Sequence, residues 1–136
     1  MTDIHGSCIC GSITFRATGK MRDVIGCHCV QCRKFSGHFT AATSTRPDNL
    51  MIEDDGSLVW FEAEPGAKRG FCQKCGSSLF WKPDSGDRIS IYVGCIDGAS
   101  GLNLTSHIFA SEKGDYYELK NEPDVHEGFG ARLELD

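Results

Sequence analysis

Apolar and polar residues alternate along several short stretches of the chain. In residues 13–17 every second side chain is apolar, and residues 88–95 repeat the pattern with Ile89, Ile91, Val93 and Cys95 on one face. Because neighbouring side chains of a strand point to opposite faces of a sheet, this period of two predicts half-buried strands. Four shorter stretches are further strand candidates, at residues 58–61, 79–81, 107–110 and 116–119.

Turn-forming residues separate these stretches, and long helical periodicity is missing. Glycine, proline and aspartate mark turns at residues 55–56, 65–66, 83–86 and 113–114. One helix, of one or two turns, is predicted directly after Cys29 and through Lys34. The pattern therefore predicts a mainly β protein of short antiparallel strands in packed sheets, forming a single domain over residues 1–136.

Composition and charge narrow the range of functions. The 136 residues carry 14 basic and 19 acidic side chains, for a formal net charge of −5. Nucleic-acid binders normally show a basic balance, so we expect no nucleic-acid partner. No apolar run approaches the ~20 residues that a membrane-spanning helix needs. The first residues lack the basic and apolar regions of a secretory signal, so we expect a cytoplasmic protein with no membrane partner.

Eight cysteines in such a chain require an explanation. A reducing cytosol makes a disulfide framework the weaker interpretation and metal binding the stronger one. Cys8 and Cys10 form one closely spaced pair, and Cys72 and Cys75 form another, each followed by glycine. Two such pairs predict a closed, structural Cys₄ zinc site. Reduced core cysteines, a redox disulfide and an iron–sulfur cluster are the weaker alternatives.

A second cluster has three cysteines within six residues, Cys27, Cys29 and Cys32. Three protein ligands with a fourth position left for water or substrate is the arrangement of catalytic zinc sites. The alternative is that a distant side chain completes the shell, the candidates being Cys95, His38, His107 and His28. An open site of three thiolates would favour a small thiol as its fourth ligand, ionise it, and hold it beside an activated carbonyl.

Three cysteine motifs resemble those of the glutathione-dependent formaldehyde-activating enzyme family, which includes the centromere protein V domain. They are residues 6–11 (GSCICG), 27–34 (CHCVQCRK) and 70–81 (GFCQKCGSSLFW), with a further similarity at residues 106–109 and Lys113. The similarity extends from about Ile4 to Tyr117. The sequence departs from the family at Ile9, where the family usually has a histidine that is not an expected ligand.

The resemblance implies a zinc-bearing β-tent with two Zn²⁺ per chain. Structural zinc would be held by Cys8, Cys10, Cys72 and Cys75, and catalytic zinc by Cys27, Cys29 and Cys32. The reaction implied is the reversible condensation of glutathione with formaldehyde to S-hydroxymethylglutathione, which is carbon–sulfur lyase chemistry. The implied partner is a small-molecule thiol such as glutathione.

Cations near the metal would suit the two carboxylates of glutathione. The candidates for substrate binding are His28, Arg33 and His107, and further cations come from Lys34, Arg69 and Lys113. Two other hypotheses remain open. One is a zinc-stabilised interaction module without catalysis, which predicts a fourth protein ligand at the second site. The other is a sulfoxide reductase, which would need Cys95 as an exposed reactive thiol.

Overall fold

The computed structural model describes residues 3–129, which form short strands and one short α-helix. The strands are β1 (Asp3–Ser7), β2 (Ile13–Thr18), β3 (Val24–Cys27), β4 (Thr40–Thr45), β5 (Leu50–Asp54), β6 (Leu58–Glu64), β7 (Ala67–Cys72), β8 (Ser78–Pro83), β9 (Ile89–Tyr92), β10 (Ile96–Asp97) and β11 (Leu104–Ile108). The helix α1 is Val30–Ser36, and 3₁₀ turns occupy Pro47–Asn49, Val93–Cys95 and Ala110–Glu112. The predicted mainly β fold class is confirmed.

The strands form two sheets. The smaller sheet has the order β10-β1-β2-β5, and the larger has the order β11-β3-β4-β9-β8-β7-β6. Neighbouring strands are antiparallel, except that β11 pairs with β3 in parallel. The prediction of antiparallel pairing is therefore wrong at this edge. A parallel pair of strands needs a long crossover connection, and here most of the chain lies between β3 and β11. A local sequence pattern therefore cannot predict this pairing.

The hydrophobic core lies between the two sheets. Ile13, Phe15 and Ala17 of β2 are buried in it, as the alternation predicts. The rings of Phe15 and Phe80 meet edge to face across the sheets, with centroids 5.4 Å apart. Gly6 of β1 lies opposite Phe15, and a Cβ atom there would lie 2.1 Å from the Phe15 ring. The absence of a side chain at Gly6 is therefore what lets this ring pack.

The opposite face of the larger sheet carries polar and aromatic side chains. Arg69 pairs with Trp81 across β7 and β8, and Trp81 pairs with Ser90 across β8 and β9. Tyr92 lies two residues beyond Ser90 and so shares its face. Phe80, next to Trp81, points instead into the core. One sheet thus separates the core from the candidate site.

Helix α1 begins where the sequence predicts it. Cys29 is its N-cap, and the Cys29 Sγ atom accepts a hydrogen bond from the Cys32 backbone N–H at 3.4 Å. Gly37 ends the helix in the left-handed conformation, with φ 94°, and its N–H donates to the Arg33 carbonyl at 2.7 Å. A glycine is suited to this position because other residues adopt a positive φ only with strain.

The predicted strand at residues 88–95 is only half right. Strand β9 ends at Tyr92, and Val93–Cys95 form a 3₁₀ turn. The turn carries the chain from the larger sheet to β10, which pairs with β1 in the smaller one. Because the chain changes sheets here, Val93 and Cys95 do not continue the apolar face of β9.

Two further strand predictions need correction. Strand β11 ends at Ile108, where residues 107–110 predicted a longer strand, because Phe109 takes the left-handed conformation with φ 56°. Residues 116–119 form turn and loop instead of a strand. Tyr116 and Tyr117 there bond through their hydroxyls to the imidazoles of His38 and His28. The stretches at 13–17, 58–61 and 79–81 are confirmed as parts of β2, β6 and β8.

In the part of the chain that the structure describes, no helix has the length and apolar character needed to cross a membrane.

Candidate metal centres and their cavity

Four cysteines from two distant segments meet at one point. The Sγ atoms of Cys8, Cys10, Cys72 and Cys75 all lie within 4.8 Å of one another. The Cys10 sulfur is 3.7 Å from the sulfurs of Cys8 and of Cys72. A tetrahedral zinc with Zn–S bonds of ~2.3 Å separates its sulfurs by about 3.8 Å. The predicted grouping of these four residues is therefore found, at a spacing that fits a tetrahedral metal.

Both cysteine pairs sit on tight turns closed by glycine. The Gly11 N–H donates to the Cys8 carbonyl at 3.1 Å, and the Gly76 N–H donates to the Cys72 carbonyl at 2.7 Å. These glycines have φ values of 80° and 79°. A Cβ atom at either position would have no atom within 4 Å. Glycine is therefore favoured here by the positive φ and not by steric crowding.

A serine follows each glycine and contacts a sulfur. The Ser12 hydroxyl lies 3.3 Å from the Cys10 Sγ atom, and the Ser77 hydroxyl lies 3.2 Å from that of Cys75. The hydrogen bond with Ser77 lowers the pKa of Cys75 to about 5, and that with Ser12 lowers the pKa of Cys10. Ser77 also accepts the Ile9 N–H at 2.9 Å, which links the two turns. The serines therefore favour the thiolate forms that bind metal.

The second cluster is built around the start of α1. Cys27 ends β3, Cys29 caps the helix, and Cys32 lies in its first turn, with all three Sγ atoms within 4.8 Å of one another. Across residues 3–129 no histidine, carboxylate or further cysteine joins this group at that distance. Three sulfurs thus converge from one strand–helix connection without a fourth protein ligand among the described residues.

The four candidates for a fourth ligand have other partners. The Cys95 Sγ atom donates to the Ser78 carbonyl at 3.2 Å, and burial raises the pKa of Cys95 to about 11. His38 bonds to the Tyr116 hydroxyl at 2.5 Å. The Nε2 atom of His28 lies 2.9 Å from Nδ1 of His107.

A cavity of about 580 Å³ opens directly beside the three sulfurs. Its floor is the face of the larger sheet that points away from the core, and all three cysteines of the cluster line it. Trp81 and Tyr92 supply aromatic surface, and Arg69 supplies charge. Ligand sites typically have volumes of ~300–1,000 Å³, so the cavity has the size of a small-molecule site.

Arg69 connects the cysteine cluster to the cavity wall. Its side chain is 7% exposed, and its Nη1 atom donates to the Cys32 Sγ atom at 3.6 Å and to the Tyr92 hydroxyl at 3.1 Å. The Nη2 atom donates to the Gln31 side-chain oxygen at 3.1 Å. Burial lowers the pKa of Arg69, but attraction to Tyr92 and Cys32 outweighs it and raises the pKa above its usual value.

The cluster and Arg69 together favour a thiolate on Cys32. Hydrogen bonds from Cys27 and Cys29, together with the positive charge of Arg69, lower the pKa of Cys32 to about 2. Hydrogen bonds with Cys29 and Cys32, together with burial, raise the pKa of Cys27. Negative charge on sulfur is therefore stabilised at the end of the cavity where the cysteines meet.

The sequence analysis missed two arginines of the cavity, Arg22 and Arg88. They lie in separate segments, just before β3 and β9, and no motif contains them. A signal for Arg88 does exist, because it shares the parity of Ser90 and Tyr92, opposite to that of the apolar Ile89. Glu64 and Glu112 also line the cavity.

His28, Arg33 and His107, the candidates for substrate binding, are not among the residues that line this cavity. His28 is fully buried, and His107 bonds through Nε2 to the Glu122 carboxylate at 3.2 Å. Arg33 lies on α1, and its buried Nε atom has no hydrogen-bond partner in the described structure. A role for these three residues in substrate binding stays a prediction.

Comparisons with known proteins agree with the geometry. An uncharacterized lyase of Schizosaccharomyces pombe is 23% identical to this chain over 127 residues, which is 92% of this chain and 91% of the relative. A crystal structure of a Rhodobacter sphaeroides protein, a structural genomics target, matches with a TM-score of 0.60 and 21% identity. That match covers 74% of this chain and 99% of the other, and shows the fold.

A family model also matches most of the chain. The model described as glutathione-dependent formaldehyde-activating enzyme covers residues 3–112, which include both cysteine clusters. The lyase-type enzyme expected from the sequence agrees with this match and with the name of the yeast relative. The chain belongs to the glutathione-dependent formaldehyde-activating enzyme family.

Proposed function

We propose that the protein is a zinc-dependent carbon–sulfur lyase that reversibly joins a small thiol, such as glutathione, to formaldehyde. Cys8, Cys10, Cys72 and Cys75 would hold a structural zinc, and Cys27, Cys29 and Cys32 a catalytic one. The observation that carries the proposal is the second cluster, three sulfurs without a fourth described protein ligand, facing a cavity of about 580 Å³.

The donor set fits this metal. Three cysteine sulfurs within 4.8 Å of one another suit a soft ion with tetrahedral coordination. Three thiolates would carry a negative charge, and the guanidinium of Arg69, hydrogen-bonded to Cys32, offsets part of it. Zinc bound there would supply a fourth position that takes the sulfur of an incoming thiol in its ionised form. A reduced cluster of this kind requires a reducing compartment, which supports the cytoplasm as the proposed location.

The cavity residues would do the rest of the chemistry. The substrate sulfur uses a lone pair to form the C–S bond at the carbonyl carbon, and the π electrons of the C=O bond move to its oxygen. That oxygen takes a proton from the Tyr92 hydroxyl, which regains one from solvent, where the thiol proton has gone. Thiol and aldehyde are thus consumed one for one to give the S-hydroxymethyl product, and the reverse steps break the same bond.

Tyr92 is suited to donate this proton. Its oxygen accepts a hydrogen bond from Arg69 at 3.1 Å, which leaves its own O–H to be directed elsewhere in the cavity. Burial raises the pKa of Tyr92, so the hydroxyl keeps its proton at neutral pH. Arg69 would stabilise the negative charge that passes through the phenol oxygen.

Exchange NMR tests the reaction directly. Protein loaded with two zinc ions is mixed with glutathione and ¹³C-formaldehyde, and the exchange rate between free formaldehyde and the S-hydroxymethyl adduct is measured. We expect acceleration over the uncatalysed reaction, and its loss in Cys29→Ser, because serine remains a good N-cap for α1 but removes a sulfur ligand. An uncatalysed rate with both zinc ions bound would reject the proposal.

The interaction module is the competing function. It requires a fourth protein ligand on the second metal, and none lies within reach among residues 3–129. The cavity beside the cluster also favours a small-molecule ligand over a protein surface.

A further inference from the structure

We propose that Gln31 is a catalytic residue, whose side-chain amide donates a hydrogen bond to the carbonyl oxygen of the aldehyde while the C–S bond forms. Gln31 and Tyr92 then form a pair of donors around that oxygen, beside the second cysteine cluster. The inference rests on the proposed function, and it adds to it the group that stabilises the negative charge passing through the reacting oxygen.

The orientation of the Gln31 amide is set by Arg69. The Arg69 Nη2 atom donates to the Gln31 side-chain oxygen at 3.1 Å. A guanidinium only donates hydrogen bonds, so it binds the oxygen of a glutamine amide and not its nitrogen. The Gln31 NH₂ group therefore points away from Arg69. In the described part of the chain no residue accepts a hydrogen bond from this group, and the side chain lines the cavity.

The same guanidinium orients Tyr92. The Arg69 Nη1 atom donates to the Tyr92 hydroxyl oxygen at 3.1 Å, which directs the Tyr92 O–H away from Arg69. Because Nη1 and Nη2 belong to one rigid, planar group, Gln31 and Tyr92 are held side by side. Each of the two side chains thus accepts one hydrogen bond from Arg69 and keeps a donor for a molecule in the cavity.

This pair of donors lies at the sulfur end of the cavity. The Arg69 Nη1 atom is 3.6 Å from the Cys32 Sγ atom, and Gln31 directly precedes Cys32 in α1. In the S-hydroxymethyl product a single carbon separates the substrate sulfur from the oxygen. An aldehyde attacked by a sulfur at the cluster therefore has its oxygen at the same end of the cavity as Gln31 and Tyr92.

Packing fixes the donors before a substrate binds. Phe35 lies one helical turn after Gln31, on the same side of α1, and the Arg69 guanidinium carbon is 5.6 Å from the centroid of its ring. The ring of Tyr92 packs against the same phenylalanine, with centroids 5.7 Å apart. Donors that are already in place stabilise developing negative charge without a cost of reorientation. The arrangement is therefore suited to the oxygen of the reacting carbonyl.

Binding of a stable analogue tests the Gln31 donor without turnover. Thioacetate carries sulfur and oxygen on one carbon, as the product does, and its oxygen shares the negative charge, whereas ethanethiol lacks the oxygen. Both are titrated by calorimetry into the zinc-loaded wild type, Gln31→Glu and Gln31→Met. We expect each substitution to lower the ratio of thioacetate affinity to ethanethiol affinity about tenfold or more.

The two variants divide the roles of the Gln31 side chain. Gln31→Glu keeps an acceptor for Arg69 and removes only the donor, and Gln31→Met removes both without adding a charge. Gln73→Glu is the matched control, because it adds the same charge between two cysteines of the first cluster, on an exposed side chain outside the cavity. Its affinity ratio should equal that of the wild type, and thermal unfolding checks that each variant is folded.

Kinetics and zinc binding distinguish a catalytic Gln31 from one that only supports Arg69. The kcat of formaldehyde exchange should fall about 100-fold in Gln31→Glu with little change in KM for the thiol, since loss of one such donor typically costs about 10²–10³-fold. Zinc affinity of the second site should stay near the wild-type value in this variant. In combination with Tyr92→Phe the losses in kcat should be less than additive, because both donors act on one oxygen.

The outcomes separate this inference from the proposed function. An unchanged affinity ratio in both Gln31 variants, or a loss of activity explained by weaker zinc binding alone, would refute the donor role and leave the reaction standing. A wild type that prefers thioacetate through Gln31 but does not accelerate the formaldehyde exchange would refute the reaction and leave the donor role standing.

Discussion

The Nη1 atom of Arg69 donates a hydrogen bond to the Sγ atom of Cys32 at 3.6 Å. The arginine comes from β7 and the cysteine from α1, so the contact ties the helix that contains Cys32 and is capped by Cys29 to the sheet beneath it. Hydrogen bonds of this kind orient a metal ligand and stabilise its charge.

Replacing Arg69 should therefore weaken the second metal site alone. We expect Arg69→Met to bind zinc there about 10–100-fold more weakly while the first site is unchanged. Competition with a chromophoric chelator measures both affinities. Lys68→Met is the matched control, because Lys68 is the exposed neighbour of Arg69 on the same strand. Equal zinc affinities in Arg69→Met and the wild type would show that the contact does not support the metal.

Tyr92 should affect the chemical step more than binding. We expect Tyr92→Phe to lower kcat about 100-fold, since loss of a positioned proton donor typically costs 10²–10⁴-fold, with KM for the thiol nearly unchanged. Tyr116→Phe serves as the control, because its hydroxyl is exposed and bonds to His38. Should Tyr92→Phe raise KM and leave kcat intact, Tyr92 would be a binding residue and the proton would come from elsewhere.

Substitutions in the first cysteine cluster should mainly lower stability, and substitutions in the second should mainly lower activity. Cys10→Ser removes a ligand that links distant segments, and we expect its Tm to fall by about 10 °C or more, since metal bound only by the folded chain contributes to folding. Cys29→Ser should keep most of the Tm but lose the formaldehyde exchange activity. Calorimetry and metal analysis check both, with Cys95→Ser as a variant outside both clusters. Full activity in Cys29→Ser would remove the second cluster from the mechanism.

The second cysteine cluster was predictable because its three ligands are close in sequence. Cys27, Cys29 and Cys32 fall within six residues, and one strand end followed by one helical turn is enough to bring their sulfurs together. The face of a strand is also a local property, which is why the buried side of β2 was predicted correctly.

The cavity was not predictable in the same way. Arg22, Arg69 and Arg88 line one cavity only because β3, β4, β9, β8 and β7 lie side by side in that order, which is a long-range property of the sheet. The failed strand at residues 116–119 has a related cause. Tyr116 and Tyr117 are neighbours whose hydroxyls both bond to histidines of distant segments. Such long-range contacts cannot be predicted from the alternation of apolar and polar residues.

The pair His28 and His107 offers a test between a substrate-binding role and a structural one. Nε2 of His28 lies 2.9 Å from Nδ1 of His107, both rings are buried, and neither lines the cavity. His107→Leu removes one partner and leaves a buried polar atom unpaired, which typically costs 1–3 kcal/mol. We therefore expect urea unfolding to show a loss of about 2 kcal/mol, with KM for glutathione close to the wild-type value. Glu122→Gln keeps the imidazoles paired and should cost much less, because its side chain is 45% exposed. If His107→Leu instead raised KM severalfold at unchanged stability, the substrate-binding role predicted from the sequence would be correct, and the substrate would have to reach beyond the cavity toward these histidines.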